Sequence, residues 1–241
     1  MSDGVLLIHA FPLDARMWER QRLGPHTVAP DLPGFGMTPP EGDVMTMASA
    51  ARRCLESIDA AGLDRVVVCG LSMGGYVAFE VWRQARERVA GLVLANTRPG
   101  ADTPEAAQAR RDLAARLRSE GNVLAAAPPP LLGENASEEL QQRVKGWVAD
   151  QSAEAIAAAS LGMAERPDST PDLPGIDVPT LVITADGDRL IAPDLTTPMA
   201  DEIPGARLEV LPGVGHLSNI EAPDRFTELL RDHVAACGVA P

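Results

Sequence analysis

The chain has 241 residues, a formal net charge of −13, three cysteines and few aromatics. That length suits one α/β domain with a sizeable core. The charge disfavours nucleic acid and anionic membrane surfaces as partners, although a local arginine could still hold an anionic substrate.

No apolar run approaches the ~20 residues that span a bilayer. Cys54, Cys69 and Cys237 are too few and too scattered for a disulfide framework or a metal cluster. Met1-Ser2-Asp3-Gly4 leads straight into an apolar run, without a basic segment ahead of a long apolar stretch. The expectation is therefore a cytoplasmic protein with reduced thiols and no signal peptide.

In chain order, short apolar runs predict strands at 5–9, 27–29, 66–70, 92–95, 180–184 and 207–211. Helical patterns fall at 47–61, 73–84, 195–203 and 223–236. Between residues 98 and 175 no strand is expected. Ala/Arg/Glu-rich helical stretches occupy 104–119, 137–149 and 153–164, with Pro128-Pro129-Pro130 breaking the first two. The alternation predicts an α/β fold: a mostly parallel sheet with helices on both faces, formed by 1–97 and 176–241, with 98–175 inserted as a helical unit.

Gly70-Leu71-Ser72-Met73-Gly74 sits where a predicted strand turns into a predicted helix. G-x-S-x-G in that setting presents a serine on a sharp turn, the arrangement of a nucleophile elbow. Such a serine needs a base and an acid. Asp186-Gly187-Asp188 follows the strand at 180–184, and Gly213-Val214-Gly215-His216 follows the strand at 207–211. Asp188 is the preferred acid, with Asp186 its competitor. His216 is preferred as the base over His26, in a polar connection, and His233, near a helix end. His9-Ala10-Phe11-Pro12 closes the first strand. The backbone N–H groups of Phe11 and Met73 are the expected oxyanion donors, with His9 bracing the loop. Trp147, Met163 and Leu131 are candidate walls of a substrate pocket. Arg110, Arg111, Arg116, Arg118 and Arg143 could include a group that grips a substrate carboxylate, but the sequence does not mark which.

The order Ser72, Asp188, His216 is that of the α/β-hydrolase arrangement. His9 through Trp18 resembles that family's oxyanion loop, with Ala10 where glycine is commoner. Asp31-Leu32-Pro33-Gly34-Phe35-Gly36 resembles its D-x-x-G-x-G loop, and Gly215 through Glu221 resembles the histidine loop of 3-oxoadipate enol-lactonases and cofactor-free haloperoxidases and esterases. The resemblance covers roughly residues 4–97 and 176–237. It implies shortened N-terminal strands, a cap domain at 98–175, and a sheet edge that a homodimer could cover. It further implies no cofactor or metal, and a small-molecule ester or lactone as substrate. On the same residues a C–C bond hydrolase, a perhydrolase or a non-catalytic binding protein are the alternatives.

Overall fold

The computed structural model describes residues 2–240. Six strands form one sheet: β1 (Asp3–Ile8), β2 (Thr27–Val28), β3 (Arg65–Leu71), β4 (Val89–Ala95), β5 (Thr180–Ala185) and β6 (Arg207–Leu211). Their order is β2-β1-β3-β4-β5-β6, and every pairing is parallel. All the strands therefore end on the same side of the sheet, and loops leaving those ends converge there.

Two apolar layers sandwich the sheet. Leu6, Ile8, Val66, Val68, Leu92, Leu94 and Val182 point to one layer. Their neighbours Val5, Leu7, Val67, Cys69, Val93, Leu181 and Ile183 point to the other. This two-fold alternation buries both faces and explains why the strands read as continuous apolar runs. The first layer is covered by α1 (Met47–Ala60) and α2 (Met73–Gln84).

Between β4 and β5 lie α3 (Pro104–Glu120), α4 (Glu138–Ala149) and α5 (Ala153–Ala164), and no strand. Each begins at a capping hydroxyl: Thr103, Ser137 and Ser152 each accept a hydrogen bond from a backbone N–H of the first turn. Ala-rich α5 is buried on most of its surface and joins the first layer through Ile156, Ala157 and Met163. Its Gly162 lies against the backbone of residue 45, where a Cβ would approach the Met45 carbonyl to 1.8 Å. α4 instead sends Val144 and Val148 into the second layer.

The continuous helix expected over 195–203 is two short ones, α6 (Pro193–Thr196) and α7 (Pro198–Glu202). Pro198 has no N–H, and its ring conflicts with the carbonyl four residues earlier, so the helix breaks there. α8 (Ser218–Glu221) and α9 (Pro223–Ala236) complete the chain, and α9 packs Phe226, Leu230 and Val234 into the second layer. Among the described residues no helix is long and apolar enough to cross a membrane.

Candidate active site

Ser72 is the single residue between β3 and α2, and it adopts φ 57° and ψ −115°. A non-glycine residue in that region is strained and persists only where its surroundings fix it. The surroundings are tight. A Cβ on Gly70 would lie 2.1 Å from the Gly74 carbonyl oxygen, and one on Gly74 would lie 2.1 Å from the Ile8 carbonyl oxygen. The Ser72 N–H donates to the Ala95 carbonyl at 2.9 Å. The Ser72 carbonyl accepts from the Gly75 N–H at 2.9 Å and the Thr97 hydroxyl at 2.8 Å. The elbow is thus clamped between the ends of β1 and β4.

Asp188 lies just past the end of β5. Its Oδ2 accepts from His216 Nδ1 at 2.8 Å and from Asn96 Nδ2 at 2.9 Å. Its Oδ1 accepts the backbone N–H groups of Leu190 (2.9 Å) and Ile191 (3.0 Å). Burial pushes this carboxyl up, but the bond and charge of His216, with the Ile191 and Asn96 hydrogen bonds, outweigh it and hold the group below the ordinary carboxylate range. A His216 that donates from Nδ1 presents an unprotonated Nε2 when neutral, the form a general base requires. The His216 side chain is 2% exposed. Asp186, the competing acid, accepts from the Gly213 N–H at 2.6 Å and so ties the end of β5 to the histidine loop.

The Asn96 contact is not anticipated by the sequence reading. Asn96 has φ 45°, and its Oδ1 accepts from the Ser218 hydroxyl. An asparagine directly after a buried strand, in a conformation that asparagine tolerates better than most residues, is the signal that could have found it. Glu221 is a second such residue. Its carboxylate accepts from the Gly215 N–H and the Gly133 N–H, each at 2.9 Å, and so clips the histidine loop to the segment ahead of α4. Burial raises the pKa of this group.

At the end of β1, His9 is fully buried. Its Nδ1 donates to the Ala10 carbonyl at 3.0 Å, and its Nε2 accepts from the Leu32 N–H at 3.1 Å. That pairing needs a neutral ring, and burial lowers the His9 pKa accordingly. His9 thereby joins the loop after β1 to the loop after β2. The Phe11–Pro12 peptide is cis. Among the described residues, neither the Phe11 N–H nor the Met73 N–H is taken by a turn, loop or side-chain acceptor. His26 is at the opposite end of the sheet, its carbonyl accepting from the Val5 N–H. His233 is buried within α9.

Ser72, His216 and Phe11 open onto one cavity of about 300 Å³. It is not the largest concavity; one of about 430 Å³ lies beside it, lined by Pro128, Leu132, Lys145 and Arg189. The smaller one is singled out by its chemistry. Met163 lines it, together with Tyr76, Arg98 and Arg110. Leu131 lines the neighbouring cavity instead, and its carbonyl accepts from the Leu217 N–H at 3.0 Å. Trp147 stacks beneath the Arg16 guanidinium, 6.0 Å from its ring centroid, and lines neither. Among the described residues no group of three or more His, Cys, Asp or Glu side chains could hold a metal ion.

Residues 5–229 match the model of the alpha/beta hydrolase family. The fold is similar to that of a thermophilic esterase from Thermogutta terrifontis, 38% identical with a TM-score of 0.91, covering 98% of this chain and 90% of that one. It is also similar to the enol-lactonase of Burkholderia xenovorans LB400, at 27% identity and a TM-score of 0.87, covering 98% of this chain and 92% of that one. The 3-oxoadipate enol-lactonase 1 of Acinetobacter baylyi is 24% identical over 97% of this chain and 89% of its own length. The chain belongs to the alpha/beta hydrolase family and is a hydrolase.

Proposed function

We propose that this hydrolase is a serine enzyme that cleaves a small carboxylic ester or lactone through an acyl-enzyme, with Ser72 as nucleophile, His216 as general base and acid, and Asp188 as the group that orients His216. The observation that carries this reading is the 2.8 Å bond from His216 Nδ1 to Asp188 Oδ2, made by a ring that shares a cavity with the strained Ser72. An esterase and enol-lactonases among the relatives support an ester or lactone as the bond cleaved.

In this reading the reaction has two halves, acylation and deacylation. Ser72 Oγ attacks the substrate carbonyl carbon while its proton passes to His216 Nε2. The carbonyl oxygen becomes an oxyanion held by the N–H groups of Met73 and Phe11, each worth roughly 3 kcal/mol in the transition state. The intermediate collapses, and Nε2 returns the proton to the leaving oxygen. In a lactone that oxygen stays tethered to the acyl group. A water then gives a proton to Nε2 and attacks the acyl carbon, releasing the acid and restoring Ser72. Asp188 remains ionised throughout and stabilises the imidazolium that forms twice per turnover. Helices α3 and α5 act as a cap that supplies one wall of the cavity, with Met163 on it.

The test is Ser72→Ala, assayed on p-nitrophenyl esters of graded chain length beside simple lactones. The expected result is a loss of at least ~10³ in kcat with the fold intact by circular dichroism. Undiminished hydrolysis by a clean preparation of that variant would end the reading.

A further inference from the structure

Apart from His216, the cavity beside Ser72 contains two charged lining residues, and both are arginines: Arg98 and Arg110. No carboxylate lines it. In a chain of net charge −13 that is a local reversal of sign. The two arginines belong to a built cluster. Arg98 Nη2 donates to Asp102 Oδ1 at 2.6 Å, and Arg110 Nε donates to Asp102 Oδ2. Arg166 Nη1 also reaches Asp102 Oδ1, at 2.9 Å. Three guanidinium groups therefore share one carboxylate whose side chain is 0% exposed.

The three arginines are not equivalent. Arg166 is buried and committed. Its Nη1 and Nη2 donate to the carbonyls of Met163 and Gly100, and its guanidinium lies 4.2 Å over the Tyr76 ring. It anchors Asp102 from behind. Arg98 and Arg110 are each one-quarter exposed. Each spends one nitrogen on Asp102. Arg98 Nε and Nη1, and both Nη atoms of Arg110, have no acceptor among the described residues. Asp102 thus fixes two forks by one edge and leaves their other donors for something else. A planar guanidinium with two spare N–H groups matches a carboxylate. At about 300 Å³ the cavity sits at the lower end of ligand pockets, so a group over Ser72 and a group on the arginines belong to one small molecule.

We propose that Arg98 and Arg110 hold a carboxylate carried by the substrate, so that the ester or lactone cleaved at Ser72 is an anion such as the half-ester of a short dicarboxylic acid. This deepens the serine-hydrolase reading and rests on it.

The experiment compares two esters of matched length, mono-4-nitrophenyl glutarate and the neutral 4-nitrophenyl pentanoate. The ratio of their kcat/KM values is measured in the wild type and in Arg98→Gln and Arg110→Gln. In parallel, glutarate binding is measured by calorimetry on Ser72→Ala, alone and combined with each arginine variant. The wild type is expected to favour the anion, and each arginine variant to lower the ratio and the glutarate affinity at least ~10-fold. Arg110→Lys, which keeps the charge, should recover part of that loss. Raising NaCl from ~0.05 to ~0.5 M should compress the wild-type ratio. A purely structural role for the cluster would lower stability without moving the ratio.

If the neutral ester is turned over but the ratio is indifferent to both arginines and to salt, the anion site is overturned and the hydrolase reading survives. If neither ester reacts while glutarate binds in an arginine-dependent way, the site stands and the catalytic reading falls. If neither reaction nor binding occurs, the site is overturned as well. Should Arg110→Gln fail to fold, Arg98→Gln and the salt dependence decide.

Discussion

The end of the sheet and the helical segment above it are built in different ways. Ser72, Asp188 and His216 each sit at or just beyond a strand, on short loops with glycines close by. The strands fix where those loops begin, and neighbouring backbone fixes where they go, as at Gly74 against Ile8. The facing wall is made instead by charged side chains gathered on one buried carboxylate: Arg98, Arg110 and Arg166 on Asp102, with Tyr76 under Arg166. The proposed reaction chemistry rests on backbone geometry at the strand ends, and the proposed substrate choice on side-chain charge pairing. The first changes only if the elbow or strand ends change, whereas the second can change through one arginine.

The sharpest way to break that contrast is at the two aspartates beyond β5. Asp188→Asn removes the charge that orients and stabilises His216, so kcat/KM should fall by ~10³ or more on any ester. Asp186→Asn touches only the Gly213 turn and should stay within about 3-fold. Steady-state kinetics on both variants checks this, and the reverse outcome would exchange their roles. A smaller effect is expected on the wall. Met163→Ala enlarges the cavity and should raise KM roughly 5- to 10-fold. Trp147→Ala, under Arg16 and away from the cavity, should change KM less than about 2-fold. Equal effects would place the substrate elsewhere.

The smallest effect concerns the loop after β1. Burial depresses the His9 pKa, so the folded protein binds fewer protons than the unfolded chain once the pH falls below about 6.5. Stability therefore rises with pH across the window between the depressed folded value and about 6.5, and acidification removes it. His9→Asn should be less stable at neutral pH, because it loses the paired bonds to Ala10 and Leu32. It should also show a shallower loss between pH 7.5 and 5.5 by urea unfolding (pH values of order, bracketing about 6.5). A slope as steep as that of the wild type would place the titration in another group.

The same contrast explains what could be read from the sequence. The six strands were legible because burial on both faces writes continuous apolar runs. The elbow was legible because close approach leaves no room for a Cβ at Gly70 and Gly74. The neighbourhood of Asp188 was legible only in part. Its place after β5 could be read, but Asn96 reaches it from a strand 92 residues away in sequence. Leu131 and Trp147 read as pocket walls because large apolar residues in a helical segment look alike whether they face a cavity or pack inward; neither lines the cavity at Ser72. Of the arginines in the helical segment, Arg110 faces the cavity, while Arg116 and Arg143 pair with Glu120 and Glu139 along their own helices. Helical spacing supplies those two partners, but it does not single out Arg110 from Arg111 and Arg118, since that depends on where Asp102 is held. The break at Pro198 was visible in the sequence and outweighs the apolar periodicity around it.

The most direct measurement of the central assignment is covalent labelling with a fluorophosphonate, followed by peptide mapping by mass spectrometry. The account predicts a single adduct on Ser72, absent in Ser72→Ala and formed far more slowly in His216→Ala. No adduct on the wild type, or one at full rate without His216, would contradict it.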